Sequence, residues 1–228
     1  MPNYGRDLNR VLSAAGLVMC DPNTDEEDRE TIACEIIQIG LDTAALYLDG
    51  GRWTPNGGLS SGRKFPVFLA GMLLGRPEIL SMIDDPRAWE EDAQAFIVTQ
   101  ADVDAGLARV ARADTRGGPP TAYTQDLVGQ PEWGIRHATE PLMDNNLWTV
   151  YYRQCCTQLT RWGILAVAEA MTTGRENWNH EPSFLYPHRY AREELKLQAA
   201  NPGHPSWYLA WNDRWTFDTW AQVTGFQP

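Results

Sequence analysis

A chain of 228 residues carrying a net charge of −11 is long enough to bury a substantial core and too acidic to neutralise a nucleic-acid backbone. Hydrophobic residues make up 43% and charged residues 21%, which excludes the disordered class. The 19 basic residues include only two lysines, Lys64 and Lys196, so an anionic partner would have to be met by converging arginines.

The start of the chain, MPNYGRDLNR, lacks the apolar run of an export signal. No apolar run reaches the ~18 residues of a membrane span, so a membrane is not expected as partner, and the acidic balance argues against a nucleic acid. Cys20, Cys34, Cys155 and Cys156 form no CxxC spacing and read as buried free thiols, with no metal site and no cofactor expected. Of the ten tryptophans, core packing accounts for most, but an indole in a loop can also serve as a platform for a sugar ring.

Residues 4–20 place apolar side chains at helical spacing, and Asp21-Pro22-Asn23 ends that helix. Thr24-Asp25-Glu26-Glu27 reads as a capping box, with Thr24 as N-cap of a helix running to about Leu48. Its apolar residues, Ile32 through Leu48, cover more than one face, which predicts a helix packed between layers. A third helix is predicted over 60–75 with Ser60 or Ser61 as cap and Pro66 in its first turn, and a short one over 77–83. The stretch 84–143 reads as a long excursion with a short strand at 95–99. Helix returns over 144–173, a Trp/His/Pro loop follows at 177–187, and helices close the chain near 188–199 and 213–223. Long helices alternating with loaded loops predict one all-α domain over residues 1–228. The expected form is a layered array that makes up part or all of an (α/α) toroid.

Five constellations could carry chemistry. The Gly-rich turn Gly57–Lys64 precedes a helix and could clamp an anion or carboxylate with Arg63 and Lys64, although a tight turn and cap is the simpler reading. It is not a nucleotide P-loop, since no Ser or Thr follows Lys64. Glu132, Trp133, Arg136 and His137 place an acid, an indole, a guanidinium and an imidazole within one short segment. Asn145, Thr149, Tyr152 and Arg153 share a helix face, where Arg153 could hold a substrate carboxylate or an internal acid such as Glu132 or Asp144. Trp178, His180 and Glu181 precede Tyr186, His188 and Arg189, without the HExxH spacing of a zinc protease. Trp207, Trp211, Trp215 and Trp220 recur at helical intervals and read as packing. No GxSxG elbow is present, and the available acids Glu132, Asp144, Glu181 and Asp213 leave paired-carboxylate hydrolysis open.

Three strings, GGLSSGRKFPVFLAGMLLG, PEWGIRHAT with DNNLWTVYYRQCCT downstream, and ENWNHEPSFLYPHRY, together resemble bacterial proteins with an (α/α)-toroid domain of the alginate lyase and heparinase-like kind. The resemblance covers about residues 4–190, and toroids of this kind are usually longer, so the chain reads as part of a larger one. It implies β-elimination on a uronic-acid polysaccharide, with no metal and with a secreted or periplasmic location. It also implies Asn146 or Arg153 as neutraliser of the substrate carboxylate, His137 or His180 as base and Tyr151 or Tyr152 as acid. Arg63, Lys64 and Glu132 are expected to bind the glycan, with Trp133 and Trp178 as its stacking platforms. Leu59 and Leu185 stand where the resemblance implies polar residues, a departure that would reduce catalysis. A non-catalytic carbohydrate-binding module, a structural or assembly protein forming homo-oligomers, and a glycoside hydrolase are the competing readings.

Overall fold

The computed structural model describes residues 4–54, 58–85, 87–109, 123–133, 158–200 and 214–227, and they are mostly helical. Helix α1 (Gly5–Cys20) is followed by α2 (Glu26–Leu48), α3 (Lys64–Leu73) and α4 (Pro77–Leu80), the last continued by a 3₁₀ turn, Ser81–Asp84. Next come α5 (Glu90–Ala93), strand β1 (Ala95–Ile97), α6 (Gln100–Arg109) and β2 (Pro131–Trp133). Helices α7 (Gln158–Ala170), α8 (Gly174–Trp178), α9 (Glu181–Ala200) and α10 (Arg214–Thr224) complete the described chain.

The local signals placed α1 and the body of α2 correctly, while several boundaries moved for identifiable reasons. Asp25, not Thr24, caps α2 by accepting the Asp28 N–H at 2.9 Å, and the Thr24 hydroxyl instead donates to the Val18 carbonyl at 2.7 Å. Helix α3 begins at Lys64 because its end is capped by Glu91, an acid 27 residues away, rather than by Ser60 or Ser61. Between 84 and 143 the short strand expected at 95–99 is β1, while α5, α6 and its antiparallel partner β2 stand where irregular chain was expected, with Ala95 opposite Trp133 and Ile97 opposite Pro131. Helix α9 starts at Glu181 and runs through Pro187, so it includes residues 181–187 that were expected in a loop. Of the helix predicted over 144–173, the part at 144–157 lies outside the described residues.

Two apolar clusters set the architecture. The larger joins Leu12, Ile36, Phe65, Phe68, Trp89, Ile164, Trp178 and Phe184, and so ties α1, α2, α3 and α7 to the α8–α9 corner. The second joins Leu17, Trp133, Ala166, Tyr186, Tyr190, Trp220 and Phe226, and docks α9 and α10 on the other side of α1 and α7. Trp220 is thus core, as its helical spacing predicted, whereas Trp215 is 37% exposed and donates to Asp21. Trp207 and Trp211 lie outside the described residues.

Helix α2 corrects one expectation. It buries Ile36, Gly40, Thr43 and Ala44 against its neighbours, but among the described residues no second layer covers Leu46 (58% exposed) or Leu48 (72%). By length and composition alone this helix is apolar enough to cross a membrane, with a mean hydropathy of 1.3 over its most apolar window. Cys34 on the same helix is exposed, not buried as expected, and Cys20 is half-buried, where burial pushes its thiol up to about 11 against the pull of Arg29. Cys155 and Cys156 lie outside the described residues.

Candidate functional site

The Gly-rich turn does hold carboxylates, but they belong to the chain itself. Glu90 accepts the backbone N–H groups of Gly58 and Ser60, each at 2.5 Å. Glu91 accepts those of Gly62, Arg63 and Lys64 at 2.7, 2.8 and 3.1 Å, and so places a negative charge on the free donors at the start of α3. The turn can wrap this closely because Gly62 adopts φ +87°, and a Cβ there would lie 2.9 Å from the Asn9 backbone nitrogen. Asp92, the third acid in the run, pairs with the Lys64 ammonium.

Around Asp92 the chain builds a buried polar hub. Lys64 is fully buried, donates to the Trp178 carbonyl at 2.6 Å and lies 4.7 Å from the centre of the Trp178 ring. The other oxygen of Asp92 accepts the Trp178 indole N–H at 3.2 Å and the Ser183 hydroxyl at 3.3 Å. His180 Nδ1 lies 2.9 Å from Ser183 Oγ and 3.6 Å from the same Asp92 oxygen. The contact between Ser183 Oγ and His180 Nδ1 thus ties the imidazole to Asp92. The imidazole is 19% exposed, at the edge of the hub rather than inside it.

These contacts reassign several predicted residues. Lys64 cannot meet a glycan, because it is sealed against Asp92. Arg63 is half-buried and donates to the Ser61 carbonyl at 2.5 Å, and burial lowers its pKa while Glu91 and Glu90 oppose that shift. Trp133 and Trp178 are each fully buried, so neither presents a face to a sugar ring, and the platform reading is corrected to core packing. Trp178 meets Phe68 edge-on at 5.4 Å, and Trp133 sits among the second cluster. Glu132 is 1% exposed and holds Arg189 at 3.4 Å, while Arg189 also donates to the Pro131 carbonyl at 2.6 Å. Both line a pocket of about 390 Å³ with Thr124, Asp126, Gln130 and Glu193. His137, Asn146, Tyr151, Tyr152 and Arg153 lie outside the described residues.

A second group of residues joins Glu181 and His188, both candidates in the sequence, to residues that no motif marks. The corner from α7 through α8 to α9 borders an open pocket of about 400 Å³ lined in part by Glu169, Thr173, Arg175, Glu176 and Glu181. Short helix α8 is bracketed by two non-glycine residues in the left-handed region, Thr173 at φ 59° and Asn179 at φ 55°. Arg175 donates through Nε to Glu181 at 2.8 Å, binds its second oxygen through Nη2, and reaches Glu169 at 3.3 Å. His188 Nε2 lies 4.0 Å from the same Glu169 oxygen. No sequence motif marked Glu169 or Arg175, since they are separated from Glu181 by a turn whose course depends on tertiary packing.

Burial pushes the Glu169 carboxyl from 4.5 up to about 7, with Arg175 pulling it down and Glu181 pushing it up. Between those two values the folded chain keeps a proton that the unfolded chain has lost, so this group's contribution to stability falls as pH rises from about 4.5 to about 7. His188 is shifted down by burial, Arg192 and Arg175, and acts in the opposite sense over an overlapping range, so Glu169 must be isolated by difference. Relative to Glu169→Gln, the native chain should lose about 1–2 kcal/mol across that window, after allowance for solvent screening. Urea denaturation of both proteins at pH 5 and pH 7.5 measures it, and a pH-independent difference would show that Glu169 is not displaced.

The described residues thus define a mostly helical protein whose Gly-rich turn, acidic run and α8–α9 corner share one buried hub beside two polar pockets. The chain matches no family model, no curated protein and no solved structure.

Proposed function

We propose that this is a carbohydrate-active protein that cleaves a uronic-acid-containing polysaccharide by β-elimination, on a helical array of the (α/α)-toroid kind. The observation that carries this reading is the meeting of the three resemblance strings along α8 and α9. Lys64 of the first string binds the carbonyl of Trp178 in the third, and Arg189 of the third binds Pro131 and Glu132 of the second. Strings far apart in sequence are thus joined through buried and part-buried polar contacts to α8 and α9.

Within that corner His180 has the attributes of a base. Its Nδ1 is held at Ser183, which reaches Asp92, and Asp92 is itself held by Lys64 and Trp178, so the ring is oriented before substrate arrives. In the proposed step, the His180 imidazole takes the C5 proton of a uronate unit, the C4–O bond breaks as the C4=C5 bond forms, and a tyrosine, Tyr151 or Tyr152, protonates the leaving oxygen. The resemblance assigns carboxylate neutralisation to Asn146 or Arg153, and His137 is the alternative base.

The test is incubation with alginate, glucuronan, heparin and pectin, monitored by the ultraviolet absorbance of the unsaturated ends. Activity on one of these should fall by roughly 10²–10⁴ in His180→Gln, with a melting temperature close to that of the native chain. Release of saturated reducing ends would transfer the reading to glycoside hydrolysis. Saturable binding without any turnover would transfer it to a non-catalytic module.

A further inference from the structure

We propose that the α7–α8–α9 pocket is a carboxylate-binding site for an acidic sugar, and that Glu181 occupies the Arg175 fork as an internal stand-in that the substrate carboxylate displaces. The identity of the ligand as a hexuronic acid rests on the elimination reading above, whereas the exchange at Arg175 rests on geometry alone.

The guanidinium is built to receive a planar anion. It lies 5.0 Å from the centre of the Phe184 ring, and Phe184 is only 1% exposed, so the Arg175 plane is supported from the core side. Two of its nitrogens take the two oxygens of Glu181, the geometry a substrate carboxylate would adopt. Both partners are accessible, Arg175 at 41% and Glu181 at 56%, and an exposed ion pair of this kind contributes little to stability. Exchanging Glu181 for another carboxylate therefore sacrifices little and keeps the same hydrogen bonds. The pocket of about 400 Å³ lies within the range of small-molecule sites.

Three acids around one arginine would ordinarily repel an anion. Glu181 leaves the fork in the exchange, however, and Glu169 behind it is 14% exposed and holds a proton up to about pH 7. A protonated Glu169 adds no charge and offers an O–H toward the incoming carboxylate. The charged groups that face Glu169 are Arg175 on α8 and Glu181 and His188 on α9, and Glu176 remains as the acid on the pocket wall. Affinity for an acidic sugar should accordingly fall as pH rises through 7. His180, the proposed base, is the residue immediately before Glu181, so displacement of Glu181 would open the fork beside it.

The experiment is calorimetric titration of the full chain with a glucuronic-acid trisaccharide and with its methyl ester. The acid should bind and the ester should not, with binding weaker at pH 8 than at pH 6. Glu181→Gln should bind the acid more tightly, because a neutral amide competes less well for the fork. Arg175→Lys should weaken binding by about ten- to a hundredfold, the scale of a lost bidentate charge-assisted pair. The proposal is overturned if Glu181→Gln binds no better than the native chain, if acid and ester bind alike, or if no form binds the acid. Binding that follows this pattern without formation of unsaturated ends would sustain the pocket and sink the elimination chemistry.

Discussion

Lys64→Met should cost the protein about 3–5 kcal/mol, the range for removing one partner of a buried ion pair. Lys64 and Asp92 are 0% and 2% exposed, so neither can turn to water when the other is lost. Methionine fills much of the volume and removes the ammonium, which leaves Asp92 with the Trp178 indole and the Ser183 hydroxyl as donors. Asp92→Leu should be at least as damaging, because it strands the Lys64 ammonium together with both of those donors. At this chain length the lysine change should lower the melting temperature by roughly 10 °C or more. Denaturant titration of the two variants measures the effect, and a loss under about 1 kcal/mol would mean that the hub is not formed in solution. The same variants should loosen His180, since its orientation depends on Asp92 through Ser183.

Gly163→Ala should destabilise by about 3 kcal/mol or more, a sign opposite to the usual effect of alanine in a helix. Helices α1 and α7 cross so closely that a Cβ on Gly163 would stand 1.9 Å from the Ser13 carbonyl oxygen and 2.8 Å from its Cα. Those neighbours are backbone, so no rotamer change relieves the overlap, and the helices must move apart through the shared core of Leu12, Ile164 and Val167. The facing glycine, Gly16, supplies a control. A Cβ there would meet the Val167 Cγ2 at 2.9 Å and the Gly163 oxygen at 3.3 Å, a contact with a side-chain end that can yield. Gly16→Ala should therefore cost clearly less than Gly163→Ala, partly offset by its ~1 kcal/mol gain in helix propensity. Thermal melts of the pair decide the matter: if Gly163→Ala raises the melting temperature, the close crossing of α1 and α7 is wrong.

Local signals in the sequence were reliable where the physics is local. Apolar spacing and the Asp21-Pro22-Asn23 break located α1 and α2, and the Gly-rich segment was legible as a tight turn before a helix. Its ligand was not legible, because Glu90, Glu91 and Asp92 follow about 30 residues later in a stretch with no helical periodicity. His180 stands out in the sequence by its polar neighbours, but its anchoring through Ser183 depends on Asp92, which is 88 positions earlier and lies in no motif.

Composition and periodicity by themselves determined that this is an acidic, predominantly helical chain with aromatic side chains concentrated near its polar motifs, since those properties depend on residue type and short-range spacing. Which indoles face inward, which acids serve as caps and which arginine presents a fork were decided only by tertiary structure. Trp133 and Trp178 stand beside acids and imidazoles in sequence, as a sugar platform would, yet folding places both in apolar clusters. The reason is that burial is a property of assembled surfaces. A side chain's neighbours along the chain fix its chemistry, but its exposure depends on what packs over it, here α3 and α9 against Trp178 and α10 near Trp133.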